Sequence, residues 1–198
     1  MFLTSQLPYP PVSGGTIKSW RLLKHLALSF DVTLFTLLKG KDAENYQAML
    51  GEIELDPASK GFPIARGRTP WNFLLSLLGS PTLNVFRNTA GGMSKAVDAA
   101  LKHCDLVLVD HLEVFPYVDR STEIPVALHE HNAEFVMWER SRSVSKNLAE
   151  SIVLAIESKR VKRFEVEACK RADLVLAAPN DQMELAKAGA PKDRFHTT

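Results

Sequence analysis

The sequence has few of the features that cross-link, charge or anchor a chain. Its two cysteines, Cys104 and Cys169, are far apart in 198 residues and lack the spacing of a zinc site or redox pair, which favours reduced thiols. Lys and Arg number 24 against 23 Asp and Glu, a formal charge of +1, and this balance disfavours a dedicated nucleic-acid binder. The longest apolar run, Phe73–Leu78, is interrupted by Ser76 and is far shorter than the ~18 residues of a membrane span. With no basic and apolar leader at the start, these absences predict a cytoplasmic protein.

Short apolar, β-rich runs alternate with helical patterns along the chain. Strands are predicted at Phe2–Ser5, Asp31–Leu38, Asp105–Val109, Pro125–Leu128 and Asp173–Ala177, with a weaker one at Ile53–Leu55. Helices are predicted from Gly15 to about Ser29, and over Ala43–Leu50, Trp71–Leu78, Leu83–Lys102, Glu134–Arg142, Leu148–Arg171 and Asn180–Lys187. This alternation predicts one α/β domain over residues 1–198, with a Rossmann-like parallel sheet flanked by helices.

A proline-rich loop with two consecutive glycines, PYPPVSGG, joins the first strand to the first helix. Gly14 and Gly15 have no Cβ that would keep a ligand away from the backbone N–H groups, and the helix N-terminus favours an anion such as phosphate. An equally weighted interpretation is a tight turn with Ser13 capping the helix. The loop is neither a Walker loop nor a GxGxxG fingerprint.

Histidines and carboxylates follow two of the predicted strands. Asp110, His111 and Glu113 come after DLVLV, and the run HEHNAE, from His129 to Glu134, comes after PVAL. Side chains at the carboxyl ends of parallel strands converge on one crevice, where ligands bind. Such a set could handle protons or bind zinc or iron. Alternatively, these are polar loop residues, with Asn132 as the N-cap of the next helix.

The helix predicted at Trp71–Leu78 follows two arginines, Arg66 and Arg68. An apolar helix beside cations suits a membrane interface with anionic headgroups. Because the apolar stretch is short, packing of this helix on its own domain is the preferred interpretation.

In their order and spacing, these segments resemble the N-terminal half of retaining glycosyltransferases of the GT-B fold, in particular family 4. Those enzymes commonly open with a strand, a proline-rich loop and a Gly-Gly pair at a helix start, as in PYPPVSGGTIKSWRLLKHLA. The run PVALHEHNAEFVMWER is similar to their strand followed by a His-Asn-x-Glu helix start, and ESKRVKRFEVEACKRADLVLAAPNDQMELAK is similar to their long helix, strand and short helix. The resemblance spans nearly the whole chain.

The resemblance implies a role for each of these loops. The amides of Gly14 and Gly15 would approach the donor diphosphate. The catalytic-loop residue beside the transferred sugar would be Asp110 or His111, since the family's usual histidine falls at Asp110 and His111 comes one position later. The residues expected to line the cleft or hold an anionic or lipid-linked acceptor are Arg87, His131, Asn132 and Glu134.

The resemblance also implies an activity and its partners. It implies transfer of a sugar from a nucleotide-sugar donor to a saccharide or lipid-linked acceptor, in cell-surface polysaccharide or glycolipid synthesis, with no obligatory metal or other cofactor. The C-terminal donor-binding domain of such enzymes is absent from these 198 residues, so the isolated chain is expected to be inactive. It would be cytoplasmic, with peripheral contact at the inner membrane face as one expectation. The alternatives are a non-catalytic Rossmann-like ligand-binding or regulatory module and a metal-dependent hydrolase built on His111, His129 and His131.

Overall fold

The computed structural model describes residues 1–198, and all seven strands belong to one sheet. The strands are β1 (Phe2–Thr4), β2 (Leu34–Leu38), β3 (Lys60–Pro63), β4 (Val107–Asp110), β5 (Val126–His129), β6 (Leu174–Ala177) and β7 (Phe195–Thr197). The helices are α1 (Gly14–Ala27), α2 (Asp42–Leu50), α3 (Pro70–Ser76), α4 (Leu83–Arg87), α5 (Met93–Leu101), α6 (Glu134–Val144), α7 (Leu148–Arg171) and α8 (Pro179–Ala188). Two 3-10 turns complete the chain, at Leu112–Tyr117 and Lys192–Arg194.

The strand order is β3-β2-β1-β4-β5-β6-β7, and every neighbouring pair is parallel. The predicted class, a Rossmann-like parallel sheet flanked by helices, is confirmed. The order of the chain reverses between β1 and β4, where Thr4 pairs with Asp110 in the register of the sheet. In open sheets of this kind, the crevice for ligands lies at such a reversal, outside the carboxyl ends of the strands.

Alternate residues of the strands are buried on opposite faces of the sheet. On one face, Phe2 and Leu34 pack with Trp20 and Leu23 of α1. The other face forms the larger core, in which strand residues such as Leu3 pack with helix residues from α5, α7 and α8. Burial on both faces explains why these strands read as continuous apolar runs.

The strand next to β2 is not where the sequence placed it. The predicted strand Ile53–Leu55 is wrong, because those residues lie in a loop whose Ile53 and Leu55 pack against the core. The edge strand β3 has the sequence KGFP, which reads as a loop. Its Gly61 faces Leu38 so closely that a Cβ would lie 2.5 Å from a Leu38 methyl carbon, and Pro63 is tolerated because an edge strand needs fewer ladder bonds.

The single helix predicted over Leu83–Lys102 is also wrong. The chain forms α4 and α5 with a break between Asn88 and Gly92. Gly92 precedes α5 with a φ of 80°, a left-handed conformation that glycine adopts without steric penalty.

The helix α3 packs on the domain with only one of its faces. Phe73 and Ser76 are buried, whereas Trp71 and Leu78 are 66% and 84% exposed. Packing on its own domain therefore buries one side of this segment and leaves Trp71 and Leu78 exposed. No helix combines the length and apolar character that crossing a bilayer requires.

Candidate functional site

The carboxyl ends of three adjacent strands bring a polar cluster together in the crevice. Thr4 ends β1, Asp110 ends β4 and His129 ends β5, and these strands are neighbours in the sheet. His111 and His131 lie one and two residues beyond the ends of β4 and β5, respectively. The sequence prediction that the two loops converge is confirmed by this placement.

Asp110 is the centre of this cluster and is fully buried. Its Oδ1 lies 2.7 Å from His129 Nδ1 and 2.9 Å from His131 Nε2. Its Oδ2 accepts a hydrogen bond of 3.2 Å from Thr4 Oγ1 and lies 3.5 Å from His111 Nδ1. Four side chains from three strand ends are thereby oriented by one carboxylate.

Burial alone would raise the pKa of Asp110, but the hydrogen bonds with His129 and His131 outweigh burial and hold this pKa well below its usual range. Asp110 is therefore ionised at neutral pH. The pKa of His111 is lowered, first by burial, although the Asp110 charge partly opposes that effect. The site thus combines a fixed buried anion with a neutral imidazole.

His111 adopts a conformation that residues with a side chain rarely adopt. Its φ is 151° and its ψ is 137°, and it is the only non-glycine residue of the chain with positive φ. Its ring stacks on that of His131, and its Nδ1 lies 3.0 Å from Thr4 Oγ1. Backbone strain of this kind concentrates at functional sites, where the surroundings hold it in place.

The N-terminus of α1 lies beside this cluster. Ser13 caps the helix, since its Oγ accepts from Thr16 N while Thr16 Oγ1 accepts from Ser13 N. The N–H groups of Gly14 and Gly15 occupy the first two helical positions and have no partner within the helix. A Cβ on Gly15 would lie 3.8 Å from His131 Nδ1, and one on Gly14 would meet nothing within 4 Å.

Neither of these two glycines has positive φ, so a tight turn does not explain them. The cap by Ser13 occurs together with N–H groups of Gly14 and Gly15 that have no hydrogen-bond partner. Capping by Ser13 therefore leaves these N–H groups available to an anion, which helix N-termini favour.

The start of α6 departs from the sequence expectation. Asn132 is exposed and does not cap the helix, so its assignment as N-cap is wrong. Instead, Asp181 Oδ1 accepts from Ala133 N at 2.8 Å, and the two carboxylate oxygens of Glu165 accept from the N–H groups of Glu134 and Phe135. Carboxylates remote in sequence thus satisfy the helix terminus.

Three carboxyl groups with raised pKa values lie near the start of α6. Burial, reinforced by the charge of Glu113, raises the pKa of Glu134 to about 7. Burial also raises the pKa of Glu165 to about 8. Glu130 is 1% exposed, its Oε1 has no hydrogen-bond partner, and burial raises its pKa well above the usual range. The Glu165 carboxyl is therefore mostly protonated at neutral pH, and the Glu134 carboxyl is about half protonated.

Arg87 is not in contact with the histidine cluster. It lines a separate cavity at the ends of β2 and β3, together with Lys39 and Arg66. Four of the other candidate residues come together in the crevice, namely Gly15, His131, Asp110 and His111. Asn132 is exposed to solvent.

Three side chains of the cluster could hold a metal ion. The ligand atoms of Asp110, His129 and His131 lie within 4.8 Å of one another, and two imidazoles with one carboxylate suit zinc or iron. His111 is not one of the three. The same contacts also satisfy the three side chains as hydrogen bonds without an ion.

Two residues near the crevice, Thr4 and Lys39, were not among those predicted from the sequence. Thr4 reads as part of a buried strand, and its hydroxyl contacts Asp110 only because β1 and β4 pair across a sequence separation of 106 residues. Lys39 directly follows β2 and lines the cavity that contains Arg87. The rule that polar residues at carboxyl strand ends face the crevice would have selected both.

No protein-family model, curated protein or solved structure matches the chain. The fold and the site therefore define it as a Rossmann-like α/β protein with a buried aspartate–histidine cluster at the switch point of its sheet.

Proposed function

We propose that the chain is the acceptor-side domain of a retaining GT-B glycosyltransferase, which transfers a sugar from a nucleotide-sugar donor to a saccharide or lipid-linked acceptor in cell-surface polysaccharide or glycolipid synthesis. The observation that carries the proposal is the position of Gly15. Its unpartnered N–H and the helix N-terminus adjoin His131, 3.8 Å from the glycine's Cβ position, and His131 contacts the buried Asp110. An anion-binding element and an ionised catalytic cluster thus share one crevice.

In this proposal, the residues of the cluster act by orientation and charge. The Asp110 carboxylate accepts from His131 Nε2–H, which leaves Nδ1 of that ring directed toward Gly15 and free of other partners. A neutral His131 presents a lone pair there, and a protonated one presents a donor to a phosphate oxygen. Nε2 of His111 likewise has no protein partner, so it is free to contact the sugar.

The reaction would proceed by attack of the acceptor hydroxyl on the same face from which the donor phosphate leaves. The bond from the anomeric carbon to the acceptor oxygen forms, the bond to the phosphate oxygen breaks, and the proton passes from the acceptor hydroxyl to the departing phosphate. Electrostatic stabilisation of the departing phosphate makes the largest contribution to lowering the activation barrier. A second domain would supply the remaining donor contacts.

The first experiment replaces Gly15 by Val and measures binding of UDP-, GDP- and dTDP-sugars by ligand-observed NMR. A β-branched side chain beside His131 fills the space before α1, so donor binding should be lost while the fold is retained. The matched control is Gly79→Val, since a Cβ there meets nothing within 4 Å and lies outside the crevice. Equal donor binding by wild type and Gly15→Val would contradict the phosphate cradle.

Turnover is tested in the complete protein encoded by the gene. Transfer of radiolabelled sugar that Asp110→Asn reduces by about 100-fold or more would support the glycosyltransferase. Tight binding of a small ligand without any transfer, by the complete protein, would instead support a non-catalytic binding module.

The three-ligand geometry of Asp110, His129 and His131 favours one other candidate, a metal-dependent hydrolase. Cobalt substitution gives a direct test, because ligation by two imidazoles and a carboxylate produces visible absorption bands. Bands that appear on titration and vanish in His129→Ala would support this candidate. A featureless spectrum with Co²⁺ in excess would contradict it.

A further inference from the structure

A cavity of about 250 Å³ opens at the carboxyl ends of β2 and β3. Its walls carry three cations from three segments. Lys39 directly follows β2, Arg66 lies in the loop after β3, and Arg87 is the last residue of α4. Arg68 lies close enough to influence the titration of both Lys39 and Arg87.

None of these four cations forms an ion pair. The five ion pairs of the chain involve Asp110 with three histidines, Glu157 with Arg160, and Glu184 with Lys187. Burial lowers the pKa of Lys39, and the charges of Arg87 and Arg68 act in the same direction, against Glu113 and Asp42. Burial and Arg68 also lower the pKa of Arg87. Partly buried cations that repel one another are stabilised by a bound anion.

The guanidinium groups are held in place by the backbone. Arg66 donates from a terminal nitrogen to Phe86 O at 2.9 Å and stacks over the Phe86 ring at 4.6 Å. Arg87 donates from Nε to Arg66 O at 3.3 Å, and its terminal nitrogens have no partner in the protein. A fixed guanidinium with free terminal N–H groups matches the geometry of a phosphate or carboxylate.

This cavity is linked to the histidine cluster through Thr4 and Ser5 at the end of β1. Lys39 Nζ lies 3.5 Å from Ser5 O, and Ser5 Oγ donates to Glu113 Oε2. Ser5 follows Thr4, which contacts Asp110. The glycines of α1 lie instead beside His131, which follows β5. The cavity at the ends of β2 and β3 and the N–H groups of Gly14 and Gly15 beside His131 are therefore separate candidate places for an anion.

We infer that Lys39, Arg66 and Arg87 bind a phosphate group carried by the acceptor substrate. These three residues would then select phosphorylated acceptors. The assignment of this phosphate to the acceptor rests on the proposed function. Binding of phosphate in this cavity does not require turnover. Three or four positive charges around one cavity match the two negative charges of a phosphate monoester or a diphosphate better than the single charge of one carboxylate. The separation from Gly15 leaves the donor phosphate its own place.

The test titrates inorganic phosphate into the ¹⁵N-labelled 198-residue chain at constant ionic strength, and follows the Nε–H signals of the arginines. The signals of Arg66 and Arg87 should shift with a common dissociation constant. In Arg66→Gln/Arg87→Gln, the affinity should fall by about tenfold or more, because two charge-assisted contacts are removed. The matched control is Lys102→Gln/Arg142→Gln, which removes two exposed cations elsewhere and should bind phosphate as the wild type does.

Lys39→Met provides a second test that leaves both guanidinium anchors intact, and it should also weaken phosphate binding. Phosphate that shifts only the amides of Gly14, Gly15 and Thr16, with unchanged affinity in Arg66→Gln/Arg87→Gln, would overturn the inference. That result would leave the donor cradle standing. Conversely, arginine shifts with no donor binding at all would support the phosphate site while contradicting the glycosyltransferase.

Vesicle flotation identifies the source of the phosphate. Binding to phosphatidylglycerol vesicles and not to phosphatidylcholine, lost in Arg66→Gln/Arg87→Gln, would support the inference with a lipid-linked acceptor. Phosphate binding at the arginines without vesicle binding would support it with a soluble sugar phosphate.

Discussion

The rings of His111 and His131 stack face to face, with their centroids 4.3 Å apart and their planes 3° from parallel. Both rings also lie against the carboxylate of Asp110. Two stacked imidazoles at this distance disfavour two positive charges on the pair. The Asp110 carboxylate contacts a nitrogen at the edge of each ring and orients both rings in the crevice.

Asp110→Asn should lower the pKa of His111 further. Burial already lowers this pKa, and the negative charge of Asp110 raises it in part, so removal of the charge leaves burial less opposed. The measurement is a pH titration of the ring ¹⁵N shifts of His111. Asp119→Asn, at an exposed loop position, is the control and should leave the His111 titration unchanged. A rise in the pKa of His111 in Asp110→Asn would show that the Asp110 charge does not raise this pKa in the native protein.

Glu130→Gln should stabilise the protein at alkaline pH. Because burial raises the pKa of Glu130 in the folded state, the folded chain keeps a proton that the unfolded chain loses above the ordinary pKa of 4.5. Stability arising from this group therefore falls as pH rises. Glutamine has no such proton to lose, so the stability difference in favour of the variant should grow as the pH rises above the ordinary pKa of 4.5.

The check on this prediction is urea unfolding at several pH values, monitored by tryptophan fluorescence. Glu139→Gln removes an exposed carboxyl and should show no comparable pH-dependent gain. A variant difference that is constant with pH would mean that Glu130 ionises in the folded protein as it does in the unfolded chain.

Arg160→Met should destabilise the fold by about 3 kcal/mol. The Glu157 carboxylate is fully buried and lies 2.6 Å from a terminal nitrogen of Arg160. The same guanidinium donates to Ser76 O and Ser80 O, which joins α7 to the end of α3. Its loss leaves a buried charge and two carbonyl groups without their partner.

Urea unfolding again provides the measurement, with Arg163→Met as the control because Arg163 is exposed and forms no ion pair. Glu157→Gln combined with Arg160→Met should recover part of the lost stability, because the uncompensated charge is gone. Equal stability of the two single arginine variants would show that the buried pair contributes nothing.

Asp181→Ala should destabilise the protein by about 1 kcal/mol, whereas Asn132→Ala should change stability by less than about 0.5 kcal/mol. The reason is that Asp181, and not Asn132, accepts from the N–H of Ala133 before α6. The pair of variants is compared by thermal or urea unfolding. A larger loss of stability in Asn132→Ala than in Asp181→Ala would show that Asn132 caps α6, as predicted from the sequence.

The sequence predicted the sheet well wherever strands are buried on both faces. The central strands, such as Val107–Asp110, and the long helix Leu148–Arg171 lie where apolar periodicity placed them, within two residues at either end for the strand. The edge strand Lys60–Pro63 could not be recognised, because one partner and one buried residue, Phe62, are enough to fix it. A strand with few buried residues has few apolar positions, so its alternation of apolar and polar residues is too weak to recognise.

The site was predictable in part. Strand-end positions identified Asp110, His111 and His131, because parallel strands place their carboxyl ends together. The partners of these residues depend on pairing between distant segments, and this is why Thr4 and the cap from Glu165 were not foreseen. The helix cap by Asn132 failed for the same reason, since local sequence shows only the residues that are near in the chain.

The backbone of His111 has one more consequence. At a φ of 151°, glycine would be the less strained residue, so a library screened only for resistance to heat should enrich His111→Gly. A library screened for what the crevice does should retain the imidazole. If the two screens select different residues at position 111, the histidine lowers thermal stability in exchange for activity.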